Sequence, residues 1–281
     1  MKPEPPVTRT LTAPARRRAP RRQRASLWRT SQLDGSDATS PVGTAWANLE
    51  IRNGQTRRAP GVARYRASVP DVILPVLNEV QALGWILPRL PAGYRAIVVD
   101  NGSDDGSAAL ATELGADVIC APVRGFGSAC WAGLQAAEDD IVCFMDADAS
   151  LDPGDLPLVA GPIADGACDL MLGSRAARRG SWPLHARLAN LALMAEVRRR
   201  STLTLRDLGP MRAARRQPLV DLGIEDRRSG WPLEMVLRAE RAGWRVAECP
   251  VPYHPRSGRS KVTGTVRGTL QAVGDMAALL R

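Results

Sequence analysis

The residues best suited to chemistry are Asp146-Ala147-Asp148, two carboxylates that alternate on an extended segment directly after the apolar run Ile141-Val142-Cys143-Phe144-Met145. Paired hard oxygens suit Mg²⁺ or Mn²⁺, which keep waters and take phosphate oxygens as further ligands. A lone Asp-x-Asp also occurs as a helix cap, and Asp152 before Pro153 fits that simpler role. Position separates the two readings, because the pair follows a buried strand and is one of four loaded strand ends.

The other three lie upstream. Pro75-Val76-Leu77-Asn78-Glu79 follows the first apolar run. Asp100-Asn101-Gly102-Ser103-Asp104-Asp105-Gly106-Ser107 follows the second; its latter half reads as a turn and helix cap, leaving Asp100 as an acceptor for a base or ribose. Arg124-Gly125-Phe126-Gly127-Ser128 has Cys130 where a dinucleotide fingerprint needs its last glycine, so an arginine and glycine loop opening a helix fits a phosphate better. The C-terminal third adds Arg206–Arg212, Ser229–Glu234 and Tyr253–Lys261. Arg259 and Lys261 stand in a Gly/Ser loop able to grip phosphates. The chain has 36 Arg and only two Lys, so a lysine at 261 implies that a compact point charge is wanted there. Glu234 and Asp226 are candidates to take a proton from an alcohol acceptor; Glu234 lies on a helix, where a structural role is equally open.

These segments need a scaffold that brings them to one edge. Short apolar runs at 71–75, 94–99, 117–121, 141–145 and 169–173 alternate with helical stretches at 80–90, 107–114 and 128–137. Continuous apolar strands alternating with helices predict an α/β fold with a mostly parallel sheet covered on both faces. Ligands of such sheets bind beyond the C-terminal strand ends. A further strand is expected at 244–249 and a helix at 233–242. At 266–280, Leu270, Val273, Met276 and Leu280 recur at helical spacing, as in a core-packing or surface helix.

The net charge of +9 is not spread evenly. Residues 1–68 hold fourteen basic and four acidic side chains, whereas residues 69–281 are close to neutral. The first segment, rich in Arg, Pro and Ala without periodicity, reads as a disordered basic tail, and 69–281 as the folded domain. A near-neutral domain argues against nucleic acid as a partner. Five scattered cysteines with no CxxC pair read as reduced, buried thiols, and two histidines make a His-rich zinc site untenable. No run approaches the about 18 apolar residues of a membrane span, and no secretory core is present near the N-terminus. The expected location is cytoplasmic, at most peripheral to a membrane; the composition does not speak to oligomeric state.

Taken in order, these motifs resemble inverting family 2 glycosyltransferases of the GT-A fold. The likeness is greatest to bacterial relatives of polyprenyl- and dolichyl-phosphate mannosyl- and glucosyltransferases, over residues 71–265. It is carried by Val72–Glu79, Val99–Gly106, Arg124–Gly127, Met145–Asp148, Gly173-Ser174-Arg175 and Gly258-Arg259-Ser260-Lys261. The resemblance implies a nucleoside-diphosphate sugar donor. Pro75, Asn78, Glu79, Asp100, Gly102 and Ser103 would lie at its nucleoside. Asp146 and Asp148 would hold Mg²⁺ or Mn²⁺ on its diphosphate. Arg124, Gly127, Arg175, Arg212, Arg259 and Lys261 would meet phosphates of donor or acceptor. It implies hexosyl transfer with inversion to a polyprenyl phosphate at a membrane surface, or to a small phosphorylated or hydroxylated molecule. A sugar-nucleotide-binding or nucleotidyltransferase-like protein is the competing reading; pyrophosphorylases of similar architecture have a Gly-rich run where Pro75–Glu79 stands.

Overall fold

The computed structural model describes residues 69–121, 123–177, 182, 184–256, 274–276 and 279. The N-terminal basic segment and the Arg259–Lys261 loop lie outside the described residues.

Seven strands form one sheet: β1 (Asp71–Val76), β2 (Arg95–Asp100), β3 (Asp117–Cys120), β4 (Ile141–Met145), β5 (Leu170–Ala177), β6 (Met211–Arg215) and β7 (Val246–Tyr253). Their order is β3-β2-β1-β4-β6-β5-β7. The first four strands are mutually parallel, β5 and β7 are parallel, and β6 runs antiparallel to both β4 and β5. The fold is therefore the expected α/β type with a mostly parallel sheet. The predicted 244–249 strand continues to Tyr253 instead. Its Pro250 and Pro252 are tolerated because β7 is an edge strand, where a missing N–H breaks no inner ladder.

Seven helices cover the sheet: α1 (Val80–Ile86), α2 (Ser107–Glu113), α3 (Phe126–Ala136), α4 (Leu156–Ala164), α5 (Leu184–Arg200), α6 (Arg216–Asp221) and α7 (Trp231–Arg241). Period-two alternation along the strands divides the core. Val72, Leu74 and Val98 pack with Leu83 and Ile86 of α1, Ala111 of α2 and Val159 and Ile163 of α4. Ile73, Ile97, Val99 and Phe144 face Leu134 of α3, Met194 and Val197 of α5 and Trp231 of α7. Met276 and Leu279 pack against this second cluster; Leu270, Val273 and Leu280 of the C-terminal periodicity lie outside the described residues. The thiol reading needs correction at two positions. Cys130, Cys143 and Cys168 are buried and free, but Cys249 is half-buried, and Cys120 is exposed because the short edge strand β3 has little covering it.

Gly133 sets how closely α3 approaches the sheet. A Cβ there would stand 2.4 Å from Cγ2 of Ile73 and 3.0 Å from Cγ2 of Val99, both β-branched and stiff at χ1. Alanine would gain about 1 kcal/mol in helix propensity. The overlap in a packed core costs about 1–3 kcal/mol. Gly133→Ala is expected to be net destabilising, by about 1 kcal/mol, read as a lower urea midpoint with unchanged m-value.

Candidate active site

The C-terminal ends of β1, β2 and β4 and the start of β6 meet at one edge of the sheet, because Val76 pairs with Asp100 and Met145 with Met211. The loops that follow β1 and β2 are stitched together. The Asn78 side chain accepts from the N–H of Asp104, and the hydroxyls of Ser103 and Ser107 accept from the N–H groups of Asn78 and Glu79, all at 2.9 Å. Asp105 accepts from Val80 N–H and from both the N–H and hydroxyl of Ser107. Burial opposes its ionisation, but these hydrogen bonds hold its carboxyl below the usual range. Asn78 adopts a left-handed φ of 55°, a conformation asparagine tolerates better than most residues. Asp100 accepts only long bonds, 3.2–3.3 Å, from Gly102 and Ser103 N–H groups, so its oxygens retain lone pairs for a further donor.

The Arg124–Ser128 loop departs from expectation. Three of its N–H groups are committed within the protein: Gly125 to Asn101 Oδ1 at 2.8 Å, Gly127 to Arg228 O at 2.9 Å, and Ser128 to Arg227 O at 2.8 Å. A Cβ on Gly125 would fall 2.2 Å from the Arg227 carbonyl oxygen, and one on Gly127 2.6 Å from that of Asp226. The glycines are there so that the 226–228 backbone can dock on α3, and they do not form an open phosphate cradle. Arg124 donates to Gly102 O at 3.2 Å and is exposed, tying this loop to the one after β2.

Three arginine charges act on Asp146, and one of those arginines is paired with Asp148. Burial, and secondly the charge of Asp148, push the Asp146 carboxyl above its usual range, against the pull of Arg212, Arg175 and Arg256. Asp148 is 5% exposed; its Oδ1 accepts from Ser150 N–H at 2.9 Å and its Oδ2 from Arg256 Nη2 at 2.6 Å. Ala149 between them has a φ of 59°, a left-handed strain that turns the loop. Ser150 O accepts from His254 N–H, tying this loop to the end of β7. Asp152, by contrast, only caps the following 3₁₀ turn through Gly154 N–H.

Arg212, on β6, is 4% exposed and donates from Nε to Leu208 O. Its Nη1 is buried and has no hydrogen-bond partner among the described residues, and burial pulls its pKa down despite Asp146. Arg175 is less available than expected. It forks onto Asp207 with two 2.7 Å bonds, and its guanidinium lies 4.2 Å over the Trp182 ring and 5.7 Å from that of Tyr253. Arg175 therefore reaches Asp146 as a positioned charge whose fork is already occupied.

Of the two candidate bases, the structure disfavours Glu234. Its carboxylate, 5% exposed, accepts from the N–H groups of Glu225 and Asp226 and from Arg238 Nε at 2.5 Å, which makes it the clasp of the 224–226 turn. Asp226 is half-buried and uses Oδ1 for Arg228 N–H, leaving Oδ2 toward Gly230. Arg256, Asp207, Asn101 and Trp182 are site residues that sequence reasoning passed over. Arg256 and Asp207 did stand inside the motifs singled out, and Asp207 is the one acid between two arginines at 206 and 212. Asn101 also stood inside the Asp100–Ser107 run, without a role of its own, and nothing local marks Trp182.

Among the described residues no cluster of three or more His, Cys, Asp or Glu could hold a metal ion. The two carboxylates are hard oxygen donors that repel each other, a set that fits a divalent cation completed by water and phosphate.

Residues 71–223 match the family model described as glycosyl transferase family 2. The chain belongs to this family. An uncharacterized glycosyltransferase of Mycobacterium tuberculosis is 48% identical over 206 residues, 73% of this chain and 94% of the relative. The undecaprenyl-phosphate mannosyltransferase of Micrococcus luteus is 31% identical over 216 residues, 70% and 88% of the two chains. The crystal structure of glucosyl-3-phosphoglycerate synthase from M. tuberculosis with Mn²⁺, uridine diphosphate and glucosyl-3-phosphoglycerate superimposes with a TM-score of 0.59. It is 25% identical and covers 74% of this chain and 78% of that one. This glycosyltransferase thus has the GT-A fold that the family resemblance implied.

The Arg175–Asp207 pair gives a pH test. Burial alone would raise the Asp207 carboxyl, but the hydrogen bonds and charge of Arg175 outweigh it and hold it below the usual range. A depressed folded-state pKa adds stability that is complete above the unfolded value of about 3.9 and lost as pH falls through the folded one. Asp207→Asn is expected to cost about 2 kcal/mol near neutrality. In denaturation measured from pH 7 downward, its deficit relative to wild type should shrink below about pH 4.

Proposed function

We propose that residues 69–281 form one GT-A domain transferring a hexosyl unit, with inversion, from a nucleoside-diphosphate sugar to a phosphorylated acceptor, with polyprenyl phosphate as the acceptor class. One observation carries this reading. The charges of Arg175, Arg212 and Arg256 all act on Asp146, Arg256 is ion-paired with Asp148, and Arg212 Nη1 is buried without a partner among the described residues. A buried cation with unspent donors is costly unless an anion arrives to meet it. The diphosphate of a donor and the phosphate of an acceptor are such anions, and in sequence Arg259 and Lys261 add two more cations beyond the described residues. The relatives support the acceptor class, since besides the mannosyltransferase they include the dolichyl-phosphate hexose transferase of Haloferax volcanii, 31% identical over 196 residues. The donor reading is supported by the synthase structure that holds Mn²⁺ and UDP-glucose.

Pro75, Asn78, Glu79 and Asp100 would face the donor nucleoside, with the Asp100 lone pairs as acceptors for base or ribose. Asp146 and Asp148 would hold Mg²⁺ or Mn²⁺, which when bound supplies Lewis acidity to the departing nucleoside diphosphate. Arg256 would then exchange its bond to Asp148 for phosphate oxygens, while Arg212 spends its idle Nη1 on the same charge. An ionised acceptor phosphate attacks without surrendering a proton, which agrees with the engaged state of Glu234. An alcohol acceptor would need a base, and Asp226 is the carboxylate with an oxygen to spare.

Two substitutions test this. Asp148→Ala is expected to abolish metal-dependent nucleoside-diphosphate release in an assay with UDP-, GDP- and dTDP-sugars and Mn²⁺; retained turnover would remove the metal assignment. Asp226→Asn separates the acceptor classes. With a phosphate acceptor kcat should fall less than about tenfold, whereas loss of a general base for an alcohol acceptor costs roughly 10²–10⁴.

A further inference from the structure

Helix α5 carries two apolar faces, and the core uses only one. Met194 and Val197 are buried, with Leu193 packed beside them. On the opposite side Leu184, Leu188 and Leu191 are 69%, 57% and 58% exposed, and exposed Ala195 continues the row at spacings of four, three and four. Such spacing places them in one stripe. Exposed arginines flank it, Arg187 and Arg198 on one side and Arg199 on the other. The helix holds four arginines against one glutamate, and that Glu196 is already bonded to Arg199 and Arg200.

The stripe also lies next to the chemistry. Trp182, two residues before α5, stacks on Arg175 and packs against Tyr253 with ring centroids 6.3 Å apart. Tyr253 in turn feels the charges of Asp148 and Asp146. The start of α5 is thus joined to the Asp146–Asp148 site through a single aromatic contact.

We propose that the exposed face of α5 docks on an anionic lipid surface, setting the acceptor edge of the site at the membrane. Leucines between flanking arginines fit that occupant, because the apolar row enters the acyl boundary while guanidiniums stay at the headgroups. A second copy of the chain fits poorly: a two-fold contact along this stripe would bring arginine flanks together with no free acid to answer them. Among the described residues no helix is long and apolar enough to cross a membrane, so the contact would lie in the interface plane. This inference rests on the lipid-phosphate reading of the acceptor.

The test is flotation of the full-length protein with phosphatidylcholine vesicles, with and without about one third phosphatidylglycerol. The comparison is a Leu184→Ser/Leu188→Ser/Leu191→Ser variant, whose sites are surface-exposed and whose melting temperature should match wild type. Wild type should float with the anionic vesicles, and the variant should partition roughly tenfold less or weaker still. Equal flotation of the two proteins would overturn the proposal, since attachment through the Arg-rich residues 1–68 would be indifferent to these leucines. A wild-type dimer that the triple substitution turns into a monomer on size-exclusion chromatography would also overturn it, assigning the stripe to a second copy. Detergent-solubilised polyprenyl phosphate separates the two readings. Transfer there without stripe-dependent flotation removes the docking and keeps the acceptor. Stripe-dependent flotation without transfer keeps the docking and removes the acceptor.

Discussion

Two carboxylates held side by side in a protein interior repel each other, and most of the site is built around that fact. Burial and the charge of Asp148 both work against ionisation of Asp146. The fold answers with arginines from three separate elements: Arg175 on β5, Arg212 on β6 and Arg256 beyond β7. Each carries its own desolvation cost, and the structure handles those costs differently. Arg175 is balanced by Asp207, Arg256 by Asp148, and Arg212 by one carbonyl and the field of Asp146. Arg212 Nη1 and Arg256 Nε both stay buried without a partner among the described residues, and Arg212 is the one within the sheet, on the strand between β4 and β5.

That placement explains why β6 runs antiparallel. A parallel strand entered from the far edge would present its first residues away from the loaded strand ends. By entering at this edge, β6 sets Met211 opposite both Met145 and Gly173, so Arg212 follows immediately beside the loop of Asp146. Gly209, at a φ of 64°, makes the entry possible, since a Cβ there would stand 2.9 Å from the Gly173 carbonyl oxygen. Gly173 of the sequence motif Gly173-Ser174-Arg175 is tight in its own right, since a Cβ there would stand 3.0 Å from Val251 Cγ1 and 3.2 Å from Met211 Cβ.

The parallel half of the fold was legible in the sequence because its strands are buried on both faces and read as unbroken apolar runs, as β1 and β4 do. Strand β6 was not, since Met211-Arg212-Ala213-Ala214-Arg215 has neither an apolar run nor polar alternation; its arginines are paid for by partners from elsewhere in the chain. The same limit governs the site residues. Asp146 and Asp148 follow β4 as the sequence implied, whereas Arg212, given a role only through the resemblance, lies on the unpredicted β6. Glu234 and Arg175 have the residue types of a base and a phosphate ligand, but long-range partners, the turn at Glu225–Asp226 and Asp207, absorb them. Residue type states what a side chain could bind; only tertiary contacts decide whether it is still free to do so.

The Arg124–Ser128 loop shows this most sharply, because glycine has two uses that look alike in sequence. One is to let backbone N–H groups approach a phosphate, and the other is to let another backbone approach them. Here Asp226–Arg228 takes the place a phosphate would have held, accepting from Gly127 and Ser128 at 2.9 and 2.8 Å. The consequence reaches the chemistry. Glu234 fixes the 224–226 turn, the turn seats 226–228 on α3, and Asn101 pins the same loop from the side of β2. Asp226 is thereby held by Glu234 and the loop before α3, apart from the arginines around Asp146. A carboxylate positioned in that way can be changed without disturbing the Asp146–Asp148 pair, because the two share no hydrogen bond among the described residues.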